Sequence, residues 1–158
     1  NNTYGINVFE GIDNEIVGNK VFKNFQYGIK VEYGNRNKII SNDVYRNSGY
    51  GIYLLHANDC YIYSNIVEKN YQAGIRLQTS EENIVEFNHV ANNQKGIYLC
   101  CWSKNNRIFR NNFINNTVNA YCSNSQNNEW QYKGVGNYWS DLYGERYEID
   151  DNLSLIHI

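Results

Sequence analysis

Methionine and proline are absent from all 158 residues. Because position 1 is Asn1 and no leader-like segment follows it, the chain is expected to begin inside something larger. No apolar run approaches the roughly 18 residues that a bilayer helix needs, so this segment is not expected to enter a membrane. Basic blocks are missing and the formal charge is −2, which argues against a nucleic-acid surface of the usual kind. The cysteines, Cys60, Cys100, Cys101 and Cys122, match neither a zinc module nor a C-x-x-C redox spacing.

Hydrophobic residues make up 42% of the chain and aromatics 15%, enough for a core of its own. Their order is periodic. Asparagine recurs at 19, 42, 65, 88 and 111 and again at 24, 47, 70, 93 and 116, while Gly-Ile pairs open at 5, 28, 51, 74 and 96. A fixed period of about 23 residues is the signature of a solenoid, whose units contact only their neighbours.

Within each unit the Gly-Ile stretch alternates apolar and polar, with Ile29 and Val31, Ile52 and Leu54, Ile75 and Leu77, and Ile97 and Leu99 on one face of a strand. Helical spacing is not sustained, and the L-x-x-L-x-L frame of a leucine-rich repeat is lacking. The expected fold is all-β: a right-handed parallel β-helix of five to six coils over residues 1–128, with three short strands per coil. The asparagines read as stacked ladders, each amide donating and accepting between coils. Cys60 stands where Asn14, Asn37, Asn83 and Asn106 stand, and Cys122 follows Val31, Leu54, Leu77 and Leu99, so both read as buried small residues. The fifth coil loses one residue before Gly96 and regains one before Asn106.

Residues 129–152, with Trp130, Tyr132, Tyr138, Trp139 and Tyr143, carry the aromatic payload of an end cap followed by an acidic tail. The run 153–158, Leu-Ser-Leu-Ile-His-Ile, reads as an in-frame translation of a transposon sequencing adapter and is set aside from fold reasoning.

The Gly-Ile-x-Leu and Asn-x-x-Asn-x-Val-x-x-Asn coils, followed by Gly136-Asn137-Tyr138-Trp139-Ser140-Asp141 and Tyr143-Gly144, resemble the NosD-like group of right-handed β-helix proteins over about residues 1–151. The coil pattern itself is shared by carbohydrate-binding and sugar-hydrolysis β-helices. The resemblance implies an extracytoplasmic setting, periplasmic, cell-surface or secreted, and copper delivery as one possible role. The family's Asp-Gly-rich acidic continuation is replaced here by Glu145, Glu148, Asp150 and Asp151 without those glycines.

Three constellations are candidates for function. On the Gly-Ile strands the outward ladder reads Asn7, Lys30, Tyr53, Arg76, Tyr98, Tyr121, and the next reads Phe9, Glu32, Leu55, Gln78, Cys100, Ser123, with His56 just after the strand. Lys30, Tyr53, His56, Arg76, Gln78, Tyr98 and Tyr121 form the expected glycan surface: rings stack on sugar C–H faces and polar groups bond hydroxyls. The same ladder also reads, with Arg76 between Tyr53 and Tyr98, as a cation–π stack that merely covers the sheet. In the turn eight residues after each glycine, Asp13, Arg36, Asp59 and Glu82 succeed one another. Asp59 and Glu82, about 4.8 Å apart at their backbones, approach the separation of about 5 to 5.5 Å used by retaining glycosidases, although the alternation with Arg36 also suits a charge-balanced turn. Cys100 and Cys101 are the candidate metal ligands, for copper, with calcium the other cofactor left open. The leading expectation is a non-catalytic module, carbohydrate-binding or surface-structural, whose partner is a polysaccharide. The alternatives are a hydrolase, lyase or epimerase acting on polysaccharide, and a periplasmic copper-delivery protein.

Overall fold

A computed structural model describes residues 1–141, together with the backbone of 146–148 and 155–157. Three parallel sheets wrap one core. The first holds six strands, Tyr4–Phe9, Tyr27–Glu32, Ile52–Leu55, Ala73–Gln78, Lys95–Cys100 and Val118–Ser123, stacked in that order. Registers such as Ile6 on Ile29 and Ile75 on Ile97 advance by one coil at each step. The second sheet runs from Glu15–Val17 to Arg107–Phe109, and the third from Lys20–Phe22 to Tyr138–Trp139. The chain is therefore a parallel β-helix of six turns. Leu155–His157, within the run set aside above, pairs antiparallel with Arg146–Glu148. Tyr143, Glu145, Asp150 and Asp151 lie outside the described residues.

Short strands turn corners because each coil bends at left-handed residues in fixed columns. Tyr33, Arg36, Ser41 and Arg46 have φ of 52°, 53°, 54° and 54°, and the next coil repeats them as His56, Asp59, Ser64 and Lys69. L-residues pay for this conformation individually, so it persists only where the surroundings fix it. The asparagine ladders do so. Asn42 donates its backbone N–H (2.9 Å) and its Nδ2 (3.0 Å) to Asn65 Oδ1, and its Nδ2 also reaches Ile16 O at 2.8 Å. Buried amides with every donor and acceptor engaged stabilise the turn, whereas unsatisfied ones would each cost about 1–3 kcal/mol.

Inside the coil, Ile29, Val31, Ile39 and Val44 are fully buried, and their counterparts continue the same columns to Ile108 and Phe113. Gly28 explains why the repeat needs a glycine: a Cβ there would stand 2.5 Å from Val44 Cγ1 and 2.6 Å from Gly51 O. The inward slot is thus filled by backbone alone. At the C-terminal end Trp139 stacks on Phe113, ring centroids 4.7 Å apart, with Trp130 packed beside it. Asn137 extends an asparagine ladder from Asn111 at 2.9 Å.

Candidate functional site

The outer face of the first sheet carries the densest arrangement of rings and cations. Tyr4, Tyr27 and Tyr50 stack in parallel, at 5.5 and 5.3 Å between centroids. Each precedes the glycine of its coil. Strand alternation alone puts Tyr27 on the same side as Ile29, but Gly28 takes the inward slot and turns Tyr27 outward. These three tyrosines, and Lys95 in the equivalent place two coils on, are the part of the face that the alternation rule missed. The signal that finds the tyrosines is the aromatic residue directly before Gly5, Gly28 and Gly51, and Lys95 holds the same place before Gly96.

Their position changes the role of the expected ladder. Lys30 and Tyr53 do point outward, yet both are buried, at 8% and 5% exposure, because the stacked tyrosines fold over them. Tyr53 packs against Tyr27 and Tyr50 at 5.0 and 5.1 Å and donates its hydroxyl to Gln78 Oε1 at 2.7 Å. Lys30 Nζ lies 2.6 Å from Glu32 Oε2 and 5.3 Å from the Tyr4 ring. Arg76 sits among the rings of Tyr50, Tyr53 and Tyr98, at 4.7, 5.3 and 4.9 Å. Its Nη1 donates to Tyr50 Oη, its Nη2 faces Cys100 Sγ at 3.4 Å, and its Nε finds no acceptor among the described residues. Lys95 lies over Tyr98 and Tyr121, at 5.5 and 5.3 Å, and Tyr121 is exposed. His56 stands apart in a left-handed turn, exposed and stacked on Tyr33 at 4.9 Å. Burial pushes the phenols of Tyr50, Tyr53 and Tyr98 above the ordinary value, so they remain hydrogen-bond donors.

Asp59 and Glu82 occupy one left-handed column and share a groove of about 530 Å³ with Ile84, Asn105, Arg107, Asn127 and Glu129. Both carboxylates are exposed. In the same column Asp13 and Arg36 form a two-pronged pair at 2.9 and 2.8 Å, and in the neighbouring strand column Arg107 meets Glu129 at 3.2 Å. Both are exposed ion pairs, of the kind that contributes little.

Cys100 and Cys101 bring their sulfurs to 2.9 Å. At a metal–thiolate distance of about 2.3 Å, sulfurs so close subtend roughly 80° at an ion, too acute to enclose it from two sides. The Arg76 cation beside Cys100 adds repulsion, and no group of three or more His, Cys, Asp or Glu side chains that could hold a metal occurs among the described residues. The described residues therefore do not fit copper, nor the six to eight oxygen ligands of calcium.

Solved structures share this architecture. A crystal structure of the periplasmic alginate epimerase AlgG is 30% identical, with a TM-score of 0.76 over 79% of this chain and 31% of that one. The Azotobacter vinelandii mannuronan C-5 epimerase AlgE6 A-module is 15% identical at TM-score 0.58, covering 78% of this chain and 38% of that one. An alginate lyase from Paenibacillus sp. is 19% identical at TM-score 0.56, covering 77% and 48%. The last two likenesses show the fold alone. This chain spans about a third of the length of AlgG. No curated protein matches it by sequence. One family model covers residues 1–144, a span that includes every strand of the three sheets, and by that match the chain belongs to the NosD family, described as periplasmic copper-binding protein (NosD).

Proposed function

We propose that this chain is a non-catalytic, extracytoplasmic β-helix module that binds an acidic polysaccharide along the outer face of its first sheet. The observation that carries this reading is Arg76. Its guanidinium is held by three tyrosine rings and has no carboxylate partner among the described residues. Lys95, one coil on, is likewise flanked by two rings, and the face offers only Glu32 against Lys30, Arg76 and Lys95. Rings for sugar C–H faces beside cations for sugar carboxylates suit a uronate polymer. The periplasmic setting and alginate substrates named for similar proteins support the location and the class of glycan.

In this reading Tyr4, Tyr27, Tyr50, Arg76, Lys95, Tyr98 and Tyr121 make the contacts, while Tyr53, Lys30 and Gln78 hold them in place from below. Affinity electrophoresis through alginate, with a neutral glucan as control, tests it. Retardation by alginate that weakens with salt and is lost in a Lys95→Ala, Tyr121→Ala double variant is expected. Free migration of the wild-type protein through every polysaccharide would return the face to a purely structural role.

A second reading, a polysaccharide-active enzyme, rests on the groove that Asp59 and Glu82 share with Arg107. Product formation from alginate that vanishes in an Asp59→Asn, Glu82→Gln variant would establish it, and its persistence would remove that site.

A further inference from the structure

Neighbouring residues of a strand point to opposite faces, so adjacent cysteines ordinarily hold their thiols apart. Cys100 and Cys101 break this rule. The first-sheet strand ends at Cys100, and the chain then takes two consecutive left-handed residues, Cys101 at φ 60° and Trp102 at φ 71°. The two preceding coils spend one residue at this corner, His56 at φ 48° and Thr79 at φ 48°. The additional residue of the fifth coil doubles the left-handed step, and the left-handed turn at Cys101, directly after the strand, brings both sulfurs to one side, 2.9 Å apart. Cys100 is buried and Cys101 half-buried, beside the exposed Trp102. Cys60 and Cys122 lie in the core.

We propose that Cys100 and Cys101 form a redox-active dithiol that closes reversibly into a vicinal disulfide. The oxidant is a small dialkyl disulfide. The Cys101 thiolate, on the accessible side, attacks one of its sulfurs, forming a mixed disulfide and releasing one small thiolate that takes up a proton. The Cys100 thiolate then attacks the Cys101 sulfur, the new S–S bond forms, and the second small thiolate leaves and is protonated. Two protein thiols are oxidised and one disulfide is reduced to two thiols. Burial pushes the Cys100 thiol up, which lowers its thiolate fraction and slows the second step.

The bond is expected to be labile. Consecutive Cα atoms stand about 3.8 Å apart across a trans peptide, below the usual 4.4–6.8 Å of a disulfide, and such deviations make the bond more reducible. The pair therefore suits reversible exchange and not a permanent staple.

The reduced protein is equilibrated in mixtures of reduced and oxidised glutathione, alkylated without further reduction, digested and weighed. Expected is a 100–101 peptide that, as oxidised glutathione rises, loses both alkyl groups and becomes lighter by two hydrogen atoms relative to the dithiol, while Cys60 and Cys122 alkylate on unfolding throughout. Excess reduced glutathione restores the dithiol. In Cys101→Ser the Cys100 peptide carries an alkyl group at every ratio. A wild-type peptide with two alkyl groups in every mixture, a glutathione adduct that persists on Cys101, or a bond from Cys100 to Cys122 or to a second chain would each overturn the proposal. The wild-type measurement decides even where the variant does not fold.

Discussion

Asn65 gives both its backbone N–H and its side-chain Nδ2 to a single atom, Asn88 Oδ1 of the next coil, each at 2.9 Å. Asn88 in turn donates to Ile62 O at 2.9 Å, Glu86 O at 3.0 Å and Asn111 Oδ1 at 2.9 Å. One buried amide thus joins three coils. Asn88→Ala leaves the Asn65 N–H without its acceptor and at least one carbonyl without its donor. At about 1–3 kcal/mol for each abandoned group, a loss of roughly 3 kcal/mol is expected. At about 2–4 °C per kcal/mol for a chain of this size, thermal unfolding would fall by roughly 6–12 °C, and a shift under 2 °C would show that the ladder does not bear on stability.

Cys60 interrupts the neighbouring ladder. Its N–H still donates to Asn83 Oδ1 at 2.8 Å, but its thiol approaches Asn58 O at 3.3 Å and cannot act as an amide. Asn37 below and Asn83 above show that the backbone accepts asparagine in this column. Cys60→Asn is therefore expected to stabilise the protein by about 1 kcal/mol, one net hydrogen bond, raising the melting temperature by about 2–4 °C. A lowered melting temperature would mean that the site is too small for the added amide.

The periodic residues carried the fold in plain sight, since Ile29, Val31 and Asn42 recur wherever burial or amide pairing demands them. The candidate site was less legible because it depends on departures from the period. Tyr53 satisfies every sequence criterion for an outward ring, yet Tyr27 and Tyr50 cover it, and their own outward turn depends on the backbone-filled slot at Gly28. The Cys100–Cys101 geometry follows from a left-handed corner directly after the strand, whose φ no spacing rule reveals. Copper, which the family resemblance implied, needs donors at a distance and number that these residues do not provide.

Tyr121 is the exposed ring at one end of the cation–tyrosine strip. A stacked ring contributes about 0.5–1.5 kcal/mol, so Tyr121→Ala is expected to weaken binding to alginate oligosaccharides about two- to tenfold with thermal stability nearly unchanged. Tyr53→Ala should do the reverse in emphasis, lowering stability through lost packing first. Calorimetric titration alongside thermal melts separates the two, and equal binding loss without destabilisation in Tyr53→Ala would return it to the contact surface.

The Arg36 guanidinium, bonded to Asp13, holds that carboxyl below the usual carboxylate range. Since folding lowers the Asp13 pKa, any stabilisation is present above the unfolded value of about 3.9 and fades as pH falls through the folded one. Both partners are well exposed, so the pair is screened. Asp13→Asn is expected to leave the melting temperature at neutral pH within about 2 °C, while a proton titration followed by NMR finds Asp13 ionising below its unfolded value. A marked destabilisation would assign the turn column a structural role beyond surface charge.

Alkaline pH tests the tyrosine face from another side. Burial, the leading cause in each case, raises the phenols of Tyr50, Tyr53, Tyr61 and Tyr98, with the Glu86 carboxylate adding to the rise at Tyr61. An unfolded phenol ionises at about pH 10, so above that value the unfolded chain binds fewer protons than the folded one. Stability from these groups is therefore fully present below about pH 10 and declines as pH climbs through the interval up to the raised folded values. Denaturant unfolding should show no tyrosine-linked loss at neutral pH and a steady loss from about pH 10, smaller in Tyr53→Phe, which keeps the ring and removes the titrating group. Phenolate absorbance of the folded protein should lag that of the unfolded chain over the same interval. Coincident curves would mean that the rings around Arg76 are open to water, and the covered arrangement of Tyr53 beneath Tyr27 and Tyr50 would have to be given up.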